Sequence, residues 1–279
     1  MRLGGPVQLQ TDDPRELAAE HVRLGYRAAY CPPISMQDAA RIQEVRAAFQ
    51  QVDVLIAEVG AWNNMLDRDE SQRRANLAHV CERLALADEV GALCCVNIAG
   101  SRHPTRWDGP HPDNLGAEVF ELTVENVRFV LDTVRPRRAR FALEMMPHAL
   151  PDGPDPFLEL LAAVDRPAFA IHLDPVNLIN SPRRYYKAAE LLRECFSKLG
   201  PHIISCHAKD TRMSEQLTVH IDEVRPGAGT LPYDVYLTEL SRLPADTPLM
   251  LEHLGDPEEY QLAAEHIRGV AAHNGIELA

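Results

Sequence analysis

Short apolar runs rich in Val, Ile, Leu, Ala and Cys recur along the chain, and each stops at a polar residue, Gly or Pro. Eight of them read as strands: Arg2–Val7, Tyr26–Cys31, Val52–Val59, Ala92–Ala99, Phe141–Met146, Phe169–Asp174, Ile203–Ala208 and Pro248–His253. Between them lie stretches whose apolar residues repeat at helical spacing. These are Glu16–Leu24, Asp38–Gln51, Glu70–Val90, Leu115–Val134, Phe157–Val164, Tyr185–Leu199, Tyr233–Leu243 and Glu258–Ala272. In the second, Ala40, Ile42, Val45, Ala48 and Phe49 form one stripe. In the third, Leu77, Val80, Leu84 and Leu86 share a side.

Strand and helix alternating over the whole length means parallel strands joined by helical crossovers. Eight repeats predict a single (β/α)8 barrel over residues 1–279. A doubly wound sheet also alternates, but no G-x-G-x-x-G follows the first strand and no G-x-x-x-x-G-K-[ST] occurs anywhere. No Ser/Gly/Pro-rich linker divides the chain. The Pro-rich patches Arg102–Pro112 and Pro147–Pro156 both follow strands, so they read as long loops on the face where barrels carry their sites.

Composition narrows the class. The chain has 279 residues, 46% hydrophobic and 25% charged, which excludes a membrane channel, a collagen-like fibre and a disordered chain. Acidic residues outnumber basic ones 41 to 28, for a net charge of −13, and a body this acidic repels phosphate backbones; no nucleic-acid partner is expected. The six cysteines form no C-x-x-C pair and mostly sit in apolar runs, so they read as reduced core thiols. Adjacent Cys94 and Cys95 should face opposite sides of their strand. The opening MRLGGPVQLQTDDP has no apolar signal core and no stretch approaches a membrane span, so a cytoplasmic location with no membrane partner is expected.

The last four runs share a feature. Run five ends FALEMMP with Glu144, run six ends AIHLDPVN with Asp174, run seven reads IISCHAKD with His207, and run eight reads LMLEHL with Glu252. One such residue at a strand end is usually a helix cap or a loop ion pair. Four in succession, all of metal-ligand type, are harder to explain that way. In a barrel these ends converge on one cavity, where bare carboxylates repel and raise each other's pKa. A divalent cation resolves the repulsion. Three oxygen ligands and one imidazole suit Mn²⁺ or Mg²⁺, and Zn²⁺, Co²⁺ or Fe²⁺ are compatible.

The order Glu, Asp, His, Glu, carried by LEMMP, HLDPVNLINSPRRYY, SCHAKD, EVRPGAG and MLEH, resembles the xylose isomerase-like TIM-barrel superfamily over essentially the whole chain. The similar group is the sugar (phosphate) isomerases and epimerases, which includes ketose 3-epimerases, hydroxypyruvate isomerases and inosose dehydratases. The resemblance implies one divalent metal, commonly Mn²⁺, held by Glu144, Asp174, His207 and Glu252. It implies proton abstraction next to a carbonyl through a metal-stabilised enediolate, with Glu144 and Glu252 as the acid/base pair. It also implies a small-molecule sugar substrate and a homo-oligomer. Two departures matter. Ketose 3-epimerases usually carry a His three residues after the strand-six Asp, where this chain has Asn177. The endonuclease IV branch needs further strand-end His, whereas runs two, three and four end near Cys31, Val59 and Ala99.

Further candidates have a functional and a structural reading. Glu58, ending run three, would bond substrate hydroxyls or act as a further base, or cap a loop. Trp62 would wall the pocket against a sugar face. Arg102, His103, Trp107 and His111 crowd the loop after run four, a mix that recognises a polyhydroxylated or phosphorylated ligand. Lys209 points to the same side as His207 and would neutralise an enediolate or bind a hydroxyl. Asp210 would orient the ligand imidazole, and Arg225 would hold a phosphate or carboxylate. Arg183, Arg184 and His148 read as surface or loop residues. His253 should point away from the metal, and His172 reads as a core histidine. The expected function is a divalent-metal-dependent sugar or keto-sugar isomerase/epimerase. The alternatives are a lyase on a keto-sugar or keto-inositol (a dehydratase or 3-keto-glycoside eliminase) and a non-catalytic binding or partner subunit.

Overall fold

In a computed structural model that describes residues 1–279, eight parallel strands pair in a closed ring. In chain order the elements are β1 (Arg2–Gly4), α1 (Pro14–Arg23), β2 (Ala28–Tyr30), α2 (Ala39–Gln51), β3 (Leu55–Gly60), α3 (Glu70–Val90), β4 (Cys94–Asn97), α4 (Ala117–Val134) and β5 (Arg140–Glu144). Then come α5 (Pro154–Val164), β6 (Phe169–Leu173), α6 (Pro182–Tyr186), α7 (Ala188–Leu199), β7 (Ile203–Ala208), β8 (Asp210–Met213), β9 (Ile221–Val224), α8 (Tyr233–Leu240), β10 (Pro248–Leu251) and α9 (Pro257–His273). Around the ring the strands run β1-β10-β7-β6-β5-β4-β3-β2, with β2 returning to β1. The protein is a single (β/α)8 TIM barrel. No helix is long and apolar enough to cross a membrane.

Helix starts follow the sequence because short polar side chains satisfy the first unpaired N–H groups. Asp13, Asp38, Asp69, Ser181 and Asp256 each accept from a backbone N–H of the helix they precede. Strand alternation then sorts the side chains. Cys94, Val96, Ala142 and Ala170 cluster inside the barrel, while Cys95, Phe141, Leu143 and Ile171 join the layer packed against the helices. The two adjacent cysteines therefore do face opposite ways, and all six thiols are free. Burial pushes the Cys31 thiol up to about 12 and that of Cys81 to about 11.

Where the structure differs from the pattern, the reason is local. Val52 closes α2 and Asp53 turns at φ 54°, so the third strand starts at Leu55, not Val52. The predicted helix Tyr185–Leu199 is two helices broken at Lys187. The eighth run stops hydrogen bonding at Leu251, two residues early. The antiparallel pair β8–β9 was not foreseen, because its half-exposed residues make no apolar run.

Candidate metal-binding active site

Glu144 is the last residue of β5, Asp174 follows β6, His207 is next to last in β7, and Glu252 follows β10. These four strands are consecutive around the ring, so register alone brings the side chains together. His207 Nδ1 lies 3.0 Å from Glu252 Oε2, 3.6 Å from Glu144 Oε1 and 3.8 Å from Asp174 Oδ2. One donor atom from each of the four falls within 4.8 Å of all the others. Asp174 and His207 are fully buried. Both His207 nitrogens are buried without a well-formed hydrogen bond, and the buried Asp174 Oδ2 and Glu252 Oε2 share a single ammonium, that of Lys209. Buried polar atoms are normally paired. Three converging carboxylates and an imidazole with unspent donor capacity fit a divalent cation.

Lys209 enters this cluster. Its Nζ lies 2.8 Å from Asp174 Oδ2, 2.7 Å from Glu252 Oε2 and 3.6 Å from Glu223 Oε2. Burial disfavours the ammonium, but Asp174, Glu252, Glu144 and Glu223 outweigh it and hold Lys209 well above the usual lysine range. Burial also works against a charged His207, and there Glu144 and Glu252 prevail and raise its pKa. Asp174 is driven far below the carboxylate range despite its burial, chiefly by Lys209 and His207.

Beneath the cluster, Glu58 points into the barrel. It accepts from His172 Nε2 at 2.8 Å and from the Ser205 hydroxyl, and its Oε2 faces His207 Nε2 at 3.7 Å. Glu58 is 1% exposed. Burial resists its charge, but His172 and His207 keep it well below the usual range. The sequence left Glu58 between contact with substrate, as hydroxyl partner or further base, and capping a loop; it does neither here and is sealed under the His207 ring. His172 is fully buried, as expected of a core histidine, but only its Nε2 is bonded and its Nδ1 has no partner.

Above the cluster opens a cavity of about 310 Å³. Trp62, Ile98, Trp107 and Met146 give it an apolar wall. Glu144, Asn177, Lys209, Glu223, Glu252 and His253 supply polar groups, with Asp108 at the rim. Asn177 Nδ2 donates to Glu144 Oε1 at 2.8 Å and to Met145 O at 3.0 Å. The residue that departs from the ketose 3-epimerase pattern thus fixes a carboxylate of the cluster.

Several other candidates are not brought to this cavity either. Arg102 extends outward, donating to Leu66 O and Glu118 Oε1. Arg225 pairs with Glu259 on α9 at 3.0 Å. Asp210 does not reach the imidazole: its carboxylate accepts from the N–H groups of Thr211, Gly227, Gly229 and Leu231 and ties down the loop after β9. His103 and His111 cap turns within their own loop, and His148 bonds Asp108 O. Arg184 donates to Leu178 O.

Other residues were missed or misdirected. His253 was expected to point away, but strand geometry has already ended and its φ is 59°. Its Nδ1 lies 3.2 Å from Glu223 Oε1 and its Nε2 3.3 Å from Glu252 Oε1. The Glu223 bond, set against partial burial, raises its pKa. Glu223 itself arrives on the unforeseen β8–β9 pair. The only hint in the sequence was its place just before the RPGAG turn.

Solved structures share the fold. The apo 3-keto-D-glucoside 4-epimerase YcjR from E. coli superposes with a TM-score of 0.69 at 16% identity, covering 96% of this chain and 99% of that one. The probable 3-DHS dehydratase AsbF from Bacillus anthracis gives 0.71 at 17%, covering 96% and 98%. A xylose isomerase-like TIM barrel protein from Mycobacterium smegmatis, in complex with magnesium, gives 0.64 at 18%, covering 92% and 87%. No curated protein sequence matches the chain. Residues 15–270 match the model of the xylose isomerase-like TIM barrel family. With the closed eight-stranded ring and the Glu, Asp, His, Glu cluster at its mouth, the chain belongs to the xylose isomerase-like TIM barrel family.

Proposed function

We propose that the protein is a divalent-metal-dependent isomerase or epimerase of a sugar or keto-sugar. The observation that carries this reading is the convergence of four donor atoms within 4.8 Å at the ends of four consecutive strands. Glu144, Asp174, His207 and Glu252 would hold one ion, Mn²⁺ by family resemblance or the Mg²⁺ bound in the M. smegmatis protein. When bound, that ion supplies Lewis acidity toward neighbouring substrate oxygens.

The chain's own residues supply the proton chemistry. Glu144 and Glu252 come from different sides of the cluster, on β5 and after β10, and both border the cavity. One takes a proton from the carbon beside a carbonyl, and the other returns it to the opposite face or the adjacent carbon. Asn177 keeps the Glu144 oxygen aimed by its 2.8 Å bond. Lys209, itself only 3% exposed, sets a fixed positive charge where negative charge develops on substrate oxygen. The epimerase activity of YcjR, on a barrel of the same fold, supports the reading.

The test is α-proton exchange in D₂O with Mn²⁺, against a panel of ketoses, keto-inositols and 3-keto-glucosides. Glu252→Gln should nearly abolish exchange and keep the fold by circular dichroism. Normal exchange in that variant refutes Glu252 as base. A lyase shares the first step and is the second reading, because His253 borders the cavity and bonds Glu223, a position from which it would protonate a departing oxygen. An α,β-unsaturated product or a freed aglycone selects the lyase; exchange with an intact carbon skeleton selects the isomerase.

A further inference from the structure

We propose that the site takes an uncharged saccharide, laid against the indoles of Trp62 and Trp107, and rejects phosphorylated sugars; this rests on the sugar-enzyme reading above and narrows it. Two independent observations carry the inference: the charge that reaches the cavity, and the way its apolar wall is built.

Charge comes first. Glu144, Asp174, Glu223 and Glu252 face the one ammonium of Lys209. A divalent ion together with Lys209 does not outweigh four carboxylates, and a protonated His253 would only bring the sum to zero. Asp108 at the rim is matched by Arg106, which points to solvent. No arginine lines the cavity, and four that lie near it are engaged elsewhere. Arg102 is held by Leu66 O and Glu118, Arg225 by Glu259, Arg184 by Leu178 O, and Arg68 by Asp113. A phosphate dianion entering here would meet acceptors and no free fork of donors, which is the opposite of a phosphate site. Sugar hydroxyls, by contrast, donate to carboxylates and cost no charge.

The wall comes second. Trp62, Ile98, Trp107 and Met146 stand on the arc of the ring after β3, β4 and β5, while Lys209, Glu223, Glu252 and His253 stand on the arc from β7 to β10. Such a cleft fits a ring with one C–H face and a polar edge. Trp62 is held for this at a cost. Its φ is 34°, in the left-handed region that non-glycine residues rarely adopt. Its indole Nε1 lies 2.2 Å from where a Cβ on Gly60 would sit, so only glycine at position 60 leaves room for the ring. Trp107 sits in a loop anchored by Asn114 Nδ2 on Gly109 O and by His148 on Asp108 O. Both indoles remain about 40% exposed, at the mouth.

These are the only two tryptophans in the chain, so emission excited selectively in tryptophan, away from the seven tyrosines, reads this wall. The holoprotein loaded with Mg²⁺ is titrated with D-fructose and methyl 3-keto-glucopyranoside, and with the 6-phosphate of each. Trp62→Phe and Trp107→Phe assign the signal. The neutral sugars should change the emission saturably, and each 6-phosphate should bind at least tenfold more weakly. A 6-phosphate that binds as tightly as its neutral partner overturns the proposal. So does a neutral sugar whose α-proton exchanges while neither indole responds. If phosphorylated sugars bind and exchange, the enzyme reading stands and the substrate class falls. If neutral sugars perturb the indoles but nothing exchanges, the substrate class stands and the reaction falls.

Discussion

Lys209 Nζ lies 2.8 Å from Asp174 Oδ2, inside the set of donors that would hold the metal. The same ammonium also touches Glu252 Oε2 at 2.7 Å. A cation entering the site must share these oxygens with a lysine held firmly in its charged form. Lysine and metal ion therefore oppose each other electrostatically, while each alone relieves the carboxylates.

Lys209→Met should separate the two effects. Without metal, the variant leaves Asp174 buried beside unmatched charge, so stability should fall by roughly 3 to 5 kcal/mol. With the like charge gone, Mn²⁺ should bind about tenfold or more tightly. Calorimetric titration and thermal unfolding with and without chelator measure both. A variant that binds Mn²⁺ more weakly would show that Lys209 organises the ligands rather than competing with the ion.

Glu58 stands under the opposite edge of His207. Glu58→Ala would leave His172 Nε2 and the Ser205 hydroxyl without their acceptor in a fully buried layer. The expected loss is about 2 to 4 kcal/mol from two orphaned donors. Mn²⁺ affinity should also drop about 10- to 100-fold, because the carboxylate facing Nε2 favours the tautomer that frees Nδ1. Glu58→Gln, which keeps an acceptor, should recover most of the stability. Chemical denaturation and metal titration on the same samples check this; unchanged metal affinity in both variants refutes the link to His207.

The loop after β9 hangs on one carboxylate. Asp210 accepts four backbone N–H groups, three of them from Gly227, Gly229 and Leu231. A Cβ on Gly229 would meet Thr211 O at 2.3 Å and Asp210 Oδ1 at 2.4 Å. Asp210→Ala and Gly229→Ala should each cost about 2 kcal/mol or more. Hydrogen exchange should accelerate across residues 225–231 while the barrel strands keep their protection. Protection of that loop as in the parent protein would be the contrary result.

Asp88 predicts a pH dependence remote from the site. Its carboxylate, on α3, accepts the N–H groups of Arg137, Arg138 and Ala139 just before β5. Partial burial raises its pKa, but those three bonds win and the net shift is downward. A carboxyl with a depressed folded pKa adds stability above its unfolded value, near 3.9, and loses it as pH falls through the folded value. Asp88→Asn should therefore cost about 1 to 3 kcal/mol at pH 7. Its deficit should close as pH falls below the unfolded value and on through the lower folded one. Urea unfolding across pH 2.5–7 measures the gap; a deficit that stays constant with pH would assign it to packing alone.

Periodicity and strand-end chemistry were enough, from the sequence alone, for the eight-stranded barrel and for Glu144, Asp174, His207 and Glu252. Each of those residues closes an apolar run on one of four consecutive strands, and parallel register forces such ends to meet. Lys209 was legible for the same reason, two residues beyond His207 on the same side. What only the tertiary structure decided lies where the period-2 rule stops. His253 turns toward the cavity because its backbone has left the strand. Glu223 reaches it on a hairpin with no apolar signature. Arg102 and Arg225 look like anion binders in the sequence, yet Glu118 and Glu259, distant in sequence or on another helix, turn them away. Glu58 looks like a strand-end residue in the sequence, but β3 runs on to Gly60, so Glu58 sits inside the strand, below the cluster and bonded to His172 and Ser205. A side chain's residue type can be read from its own segment, but its partners come from segments far along the chain and are fixed only when the ring closes.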